Sequence, residues 1–286
     1  MTSCKLLMFV LVTGAQAQSP AEVTEGRALL QRGRELQGSG HHQDSLRLFE
    51  KALRTAEGMG PLSEAIALEW VGSAYLKLGR LAESERALVR CVELRDKVWG
   101  TANGRNPNHA RILTSLGGVE LVLGRYKQAE ERFDMALGIW RGVPRRDKDE
   151  DFAANLNNIG LLYFTQGRYS DAARRLREAV TLFQDSVPAD DQRLAKAKCN
   201  LAGVLSRLGL HEEADRLSSQ ALTGFSGKMD QEPLIAADLL TIRGSVLRKA
   251  KRGREAKAVE ARARDFLRKA GAHHRVDVSA FAPRTR

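Results

Sequence analysis

The sequence predicts an all-α protein, an α-solenoid of about six helix-turn-helix repeats. Apolar residues recur at three- and four-residue steps, a small-residue fingerprint returns about every 42 residues, and prolines fall between its copies. Periods of roughly 20 to 50 residues are typical of solenoids, in which each unit buries its apolar face against its neighbours.

The helical hairpin is clearest in residues 157–180, NNIGLLYFTQGRYSDAARRLREAV. Residues such as Leu156 and Ile159 follow the helical period, and Gly167 ends this first helix. A second helix begins within four residues of that glycine, and Ala172 lies on its apolar face. Two helices joined by so short a turn form a helical hairpin.

The fingerprint is a series of small or aromatic residues: Gly160, then Tyr163 three residues later, Gly167 four further on and Ala172 five further on. The six copies begin at steps of 39, 45, 43, 42 and 42 residues, at Gly33, Gly72, Gly117, Gly160, Ala202 and Gly244. We expect these small residues where two helices approach closest, because a larger side chain would push the helices apart.

The prolines support this division independently. A proline inside a helix removes a hydrogen bond and clashes with the preceding turn. Five of the seven prolines fall between consecutive copies of the fingerprint: Pro61, Pro107, Pro144, Pro188 and Pro233. None is therefore expected to interrupt a helix.

These repeats resemble tetratricopeptide repeats, in which small residues stand at the eighth, twentieth and twenty-seventh positions, here Gly160, Ala172 and Ala179. The long period, against the usual 34 or so, and the segments LNNIGLLYFTQGRYSDAARRL and NPNHARILTSLGGVELVLGRYKQAEERF are similar to the kinesin-light-chain type. The resemblance covers about residues 22–270. It implies a right-handed solenoid and a binding scaffold, with no particular partner.

The first 17 residues have the outline of a secretory signal peptide. Lys5 precedes an apolar stretch at residues 6–12, and Ala15-Gln16-Ala17 is a small-x-small cleavage site. Seven apolar residues are too few to span a bilayer. We expect an extracytoplasmic protein, secreted or periplasmic, and the alternative is a cytoplasmic protein with an ordinary N-terminal helix.

The expected organisation has three parts: a signal peptide at 1–17, six repeats within 18–271 and a basic C-terminal tail at 272–286. The repeats are predicted at about 22–60, 61–104, 107–143, 150–187, 190–228 and 233–271.

No motif for chemistry is found in the sequence. There is no Gly-x-Ser-x-Gly and no phosphate-binding loop, and the six histidines have no partner at a zinc-like interval. We therefore expect no enzyme activity, no cofactor, no metal and no small-molecule substrate, and a protein or peptide as the ligand. Cys91 and Cys199 lie three repeats apart, too far for a disulfide, and Cys91 is expected in the core.

The resemblance also implies where a peptide would bind. In this family the second, fifth, sixth, ninth, twelfth and thirteenth positions of each first helix line a concave groove. Over repeats three to five these positions include Arg111, Thr114, Asn157, Asn158, Leu161, Lys196, Asn200 and Arg207.

Asparagine recurs at the sixth position, as Asn158 and Asn200. It is a poor helix former, because its side chain competes for backbone groups. A carboxamide can both donate a hydrogen bond to an extended peptide backbone and accept one from it. The resemblance to kinesin-light-chain-type repeats implies that these asparagines bind a peptide in this way. The alternative is that these asparagines bond to the neighbouring repeat and fix its angle.

The net charge of +11 is concentrated at one end. Residues 241–286 hold 14 Lys and Arg against 4 Asp and Glu, which leaves 32 against 31 for the rest. Four cations of the last helix lie off its apolar stripe: Arg254, Lys257, Arg262 and Arg264. They form either a solubilising cap or a basic face for an anionic partner, such as an acidic protein or lipid headgroups.

Together these observations favour a non-catalytic scaffold that binds an extended peptide segment in the concave groove, outside the cytoplasm. The alternative is an intracellular regulatory protein whose basic end binds an acidic partner or nucleic acid. For the leading interpretation we do not expect a nucleic-acid partner.

We predict that export removes residues 1–17, so that the mature chain begins at Gln18. The intact mass of protein recovered from the extracytoplasmic fraction measures this. A chain that keeps Met1 and stays in the cytoplasm would contradict it.

Overall fold

The computed structural model describes residues 20–100, 106–144 and 149–271. The predicted signal peptide and the C-terminal tail lie outside these residues. The described chain is all-α, which confirms the predicted fold class, and its helices pair into six hairpins. The twelve helices are α1 (Pro20–Gly38), α2 (His42–Ala56), α3 (Pro61–Lys77), α4 (Leu81–Trp99), α5 (Pro107–Val122), α6 (Tyr126–Arg141), α7 (Glu150–Thr165), α8 (Tyr169–Ser186), α9 (Gln192–Arg207), α10 (His211–Phe225), α11 (Pro233–Lys249) and α12 (Gly253–Lys269).

The hairpins belong to two compact units, α1 to α6 and α7 to α12. Within each unit the second helix of one hairpin packs on the first helix of the next, as α2 does on α3 and α8 does on α9. Within a unit, apolar faces are thus covered by the neighbouring hairpin, as expected for a repeat protein.

The first helices begin where local chemistry favours a start. Asn106, Asp149 and Asp191 precede α5, α7 and α9, and each side-chain oxygen accepts from a backbone N–H two residues on, at 2.8–3.0 Å. These bonds satisfy N–H groups that have no partner inside the helix. Pro61 and Pro107 begin α3 and α5, where proline removes no helical hydrogen bond.

A residue with positive φ ends the first helix of every hairpin. In five hairpins it is a glycine, for example Gly167 with a φ of 77°. In the last hairpin the corresponding residue is Lys251, with a φ of 62°. The left-handed conformation costs a residue with a side chain about 1 to 2 kcal/mol, so this turn is less favourable than the others.

The two helices of a hairpin pack closely at the first fingerprint position in the five hairpins where that residue is glycine. A Cβ added to Gly160 would lie 2.6 Å from Cγ of Leu176, and one added to Gly117 would lie 2.7 Å from the ring of Phe133. Both Leu176 and Phe133 are almost fully buried. The expectation that small residues stand where the helices meet is confirmed.

Glu120 takes the place of the fingerprint tyrosine in the third hairpin and is only 2% exposed. Burial raises the pKa of this carboxyl. The guanidinium of Arg132 partly opposes that rise, and its Nε lies 3.5 Å from Oε1 of Glu120. The third copy of the fingerprint therefore buries a carboxyl group at the position that Tyr163 holds in the fourth copy.

Cys91 and Cys199 are free thiols buried in the core. Cys91 is completely buried, as its position in the repeat predicts, and its thiol donates to the carbonyl oxygen of Ala65 at 3.1 Å. Burial raises the pKa of both thiols to about 12.

Replacing Gly160 by alanine should destabilise the protein by roughly 1 to 3 kcal/mol, because the new methyl group overlaps buried Leu176. Gly138 is the matched control. It is an exposed residue of α6, and a Cβ added to it would have no atom of another helix within 4 Å. Gly138→Ala should stabilise by about 0.5 to 1 kcal/mol, because alanine favours helix. Urea unfolding measures both variants, and equal stabilities would contradict the packing interpretation.

Cys91 and Cys199 should resist alkylation in the folded protein, because the thiolate is the reactive form and neither thiol ionises near neutral pH. Mass spectrometry after iodoacetamide treatment and digestion should show Cys91 and Cys199 unlabelled in the folded chain and labelled after unfolding in urea. Labelling of Cys199 without unfolding would show that it is accessible.

Candidate functional site

The eight predicted groove residues divide between the two units. Arg111 and Thr114 lie on α5 of the first unit. The other six lie on α7 and α9 of the second unit, as Asn157, Asn158, Leu161, Lys196, Asn200 and Arg207. We call the surface formed by these six side chains the α7–α9 face.

Three asparagines form one hydrogen-bonded chain across the α7–α9 face. Nδ2 of Asn200 donates to Oδ1 of Asn157 at 3.1 Å, and Nδ2 of Asn157 donates to Oδ1 of Asn158 at 3.3 Å. The first bond joins α9 to α7. Asn200 therefore bonds to the neighbouring repeat, as one of the two interpretations expected, although its partner is Asn157 and not the sixth-position Asn158.

The two ends of this carboxamide chain remain available. Within the described residues no group hydrogen-bonds Nδ2 of Asn158 or Oδ1 of Asn200. Asn158 is half-buried and Asn200 is buried apart from 8% of its surface. One open donor and one open acceptor thus stand at opposite ends of a fixed chain.

An apolar and cationic region lies toward the carboxyl ends of α7 and α9. Leu161 is half-buried on α7. The guanidinium of Arg207 on α9 lies 6.0 Å from the ring centre of Phe164 on α7, a distance at which a cation and an aromatic face attract. This contact orients the guanidinium of Arg207 within the α7–α9 face.

Lys196 belongs to the α7–α9 face and lies in the amino-terminal half of α9, at the second position of its repeat. Its side chain is half-buried. Burial raises the pKa of Asp238 on α11, and the positive charge of Lys196 opposes that rise. Sequence reasoning did not select Asp238, although it holds the same second position in the last repeat and could have been found from that register.

The two groove residues of the first unit are engaged in other contacts. Thr114 is buried and its hydroxyl donates to the carbonyl of Ala110, one turn earlier. Arg111 forms an ion pair with Glu69 on α3, and Arg95 on α4 holds the same carboxylate at 3.1 Å. Glu69 and Arg95 are both buried, so Arg111 completes a buried ion cluster that joins three helices.

Sequence analysis did not single out the partners of Arg111 in that cluster. Glu69 stands at the fifth position of its repeat, where an inward-facing residue is expected. Arg95 lies on a second helix, outside the positions that the resemblance implies. Only the packing of α4 beside α3 and α5 brings the three charges together.

The predicted basic face lies on the outer side of α12. Arg254, Lys257, Arg262 and Arg264 are all exposed. The buried residues of this helix, which include Ala256 and Phe266, face the other way.

In the part of the chain that the structure describes, no group of three or more His, Cys, Asp or Glu side chains could hold a metal ion. None of the helices described is both long and apolar enough to cross a membrane.

Sequence comparison finds similar repeats in a plant protein. The chain is 23% identical over 178 residues to "Protein KINESIN LIGHT CHAIN-RELATED 2" of Arabidopsis thaliana, which covers 61% of this chain and 26% of that protein. The chain therefore spans about a quarter of the length of this curated relative.

Two solved structures share the fold. The crystal structure of BtubC (BKLC) from P. vanneervenii has a TM-score of 0.58 and 16% identity, over 94% of this chain and 97% of that one. The crystal structure of Rap protein complexed with competence and sporulation factor has a TM-score of 0.63 and 13% identity, over 90% and 78%. At such identities the likeness concerns the fold alone.

Two family profiles, both described as tetratricopeptide repeat, match most of the helical part of the chain. One matches residues 108–185, and the other matches residues 30–91 and 157–215. These matches cover hairpins of both units, and the kinesin-light-chain proteins among the similar proteins are distant. The chain belongs to the tetratricopeptide-repeat family.

Proposed function

We propose that this protein-interaction scaffold holds an extended segment of a partner protein against the α7–α9 face. Tetratricopeptide-repeat proteins are scaffolds for protein–protein interaction and are generally non-catalytic. The proposal adds a location for the bound segment and the groups that would contact it.

The observation that carries the proposal is the asparagine chain. Its inner bonds fix the side chains of Asn158 and Asn200, and its outer atoms are one donor and one acceptor without a partner among the described residues. An extended backbone presents carbonyl and N–H groups in alternation, so it can accept from Asn158 and donate to Asn200. Because the carboxamides are already held in place, a bound segment would lose less side-chain entropy.

The neighbouring side chains add contacts of two kinds. Half-buried Leu161 offers apolar surface beside the asparagines. Arg207, oriented by Phe164, and Lys196 place positive charge at the two ends of α9. A segment with an apolar residue between polar ones would suit this arrangement.

One similar structure supports binding in a general way. The Rap protein was crystallised in complex with competence and sporulation factor. We propose only that this chain also binds a protein or peptide ligand. Which ligand it binds depends on the side chains of this chain and not on those of the Rap protein.

We also propose that the protein acts outside the cytoplasm. This part rests on Lys5, the apolar stretch at 6–12 and the Ala15-Gln16-Ala17 site. An intracellular scaffold remains the alternative, and the mass measurement of the mature chain separates the two.

Asn158→Ala should weaken binding of a selected peptide by about 1 kcal/mol, roughly fivefold in Kd, because one hydrogen bond to the peptide backbone is lost. Its stability should change little, because the bond between Asn200 and Asn157 remains. The peptide is first selected from a random displayed library against the full chain, and its Kd is then measured by calorimetry. Gln220→Ala, which removes an exposed carboxamide from α10, is the control and should bind like the parent.

A second measurement separates binding from repeat geometry. Asn200→Ala should lower both affinity and stability, because it also breaks the bond that joins α9 to α7. If Asn158→Ala binds the selected peptide as tightly as the parent does, the asparagines serve only to fix the repeats.

A further inference from the structure

The charge pairing of the last helix, α12, can be compared with that of α8. On α8, Arg174, Arg175 and Arg177 each form a salt bridge, with Asp171, Glu178 and Glu213 at 3.0–3.3 Å. These arginines of α8 are therefore matched by acidic side chains on the same or the next helix.

On α12 every carboxylate is already occupied. Glu255 is held by Arg252, Glu260 by Arg248 at 2.6 Å, and Asp265 by Arg268. Arg252 and Arg248 precede α12 in the chain. Two of the three acidic side chains of α12 thus form salt bridges with arginines that precede this helix.

The four cations of the basic face, by contrast, have no direct acidic partner in the part of the chain that the structure describes. None of them has a salt bridge with a carboxylate anywhere among the described residues. Arg264 lies near enough to Glu260 to contribute to lowering the pKa of that carboxyl, but Arg248 contributes more and makes the direct contact. The basic face therefore carries four positive charges that no described carboxylate pairs directly.

A cap needs only a polar outer surface to prevent further stacking of repeats. Alternating charges, as on α8, would provide it. A face of four uncompensated cations repels itself and instead attracts an anionic partner.

The spacing of Arg254, Lys257 and Arg264 along and around the helix suits an extended chain. Arg254 and Arg264 are ten residues apart, so about 15 Å along the helix axis. A strand of about five residues spans the same length, and its alternate side chains point to one side. Arginine binds carboxylates in bidentate fashion, and three of the four cations are arginines.

The same face is poorly suited to two other anionic partners. The large apolar residues of α12 are engaged in the core, since Phe266 is buried and Leu267 packs against the same cluster, so neither is free to enter a bilayer. The four cations have no aromatic residue among them on which a nucleic-acid base could stack.

We propose that the basic face is a second interaction surface, which binds an extended acidic segment of a protein through Arg254, Lys257, Arg262 and Arg264. It is separate from the α7–α9 face, and neither surface needs the other for its chemistry.

The test uses the full chain and a fluorescent oligoglutamate peptide in low salt, with an oligoglutamine peptide of equal length as the neutral probe. Replacing all four cations by glutamine should weaken oligoglutamate binding at least about tenfold, since each exposed pair contributes a fraction of a kcal/mol. Binding by the parent should also weaken steeply toward 0.15 M salt, where charges are screened within about 8 Å.

The chain offers a matched control. Arg54, Lys127, Arg174 and Arg216 are exposed on four different helices, and replacing them by glutamine removes the same number of Arg and Lys side chains. This control variant should bind oligoglutamate within about twofold of the parent. Circular dichroism should show unchanged helicity in all variants.

Several results would overturn the proposal. Binding of oligoglutamate by the four-glutamine variant at parental affinity would reduce the basic face to a cap. An equal loss in the control variant would show that only the net charge matters. Tighter binding of phosphatidylserine vesicles or of a single-stranded oligonucleotide than of oligoglutamate would assign the face to a membrane or to nucleic acid instead.

Discussion

The close approach of two helices at a small residue is the constraint on which the rest of this structure depends. At Gly160 there is no room for even a methyl group, because Leu176 of the partner helix fills the space. The same contact returns in other hairpins, for example between Gly117 and Phe133. Because it sets how deeply the second helix packs on the first, it also sets which side of the first helix stays open.

The open sides of neighbouring first helices are joined by polar side chains. Asn200 and Asn157 join α9 to α7, and Glu69 joins α3 to Arg111 on α5. A polar residue in such a place satisfies a neighbour and still presents an atom to a ligand. We therefore interpret the asparagines as serving both roles that the sequence left open, with the inner atoms in structure and the outer atoms in binding.

The two proposed surfaces differ in how they would recognise a partner. The α7–α9 face offers a few oriented hydrogen-bonding atoms beside apolar surface, which favours a defined backbone geometry. The basic face offers exposed charge, which favours fast and salt-sensitive association with weaker geometric demands. A scaffold with both could orient one partner while it attracts another, or hold two segments of the same protein.

The sequence by itself determined the helices, their pairing and the residues at the helix contacts. These follow from hydrophobic period, from small residues at fixed steps and from the placing of prolines, all of which are local properties of the chain. The position of the basic face on the outer side of α12 was also predictable, because helical period separates Ala256 from Arg254 and Lys257.

Only the tertiary structure decided which side chains meet. The bond between Asn200 and Asn157 joins residues 43 apart, and the ion pair of Arg111 with Glu69 joins residues 42 apart. A repeat period places such residues on adjacent helices but leaves their rotamers and partners open. Those depend on how neighbouring hairpins pack, which is why Thr114 is buried and Arg111 is bound to Glu69, although both occupy inward-facing positions in the repeat.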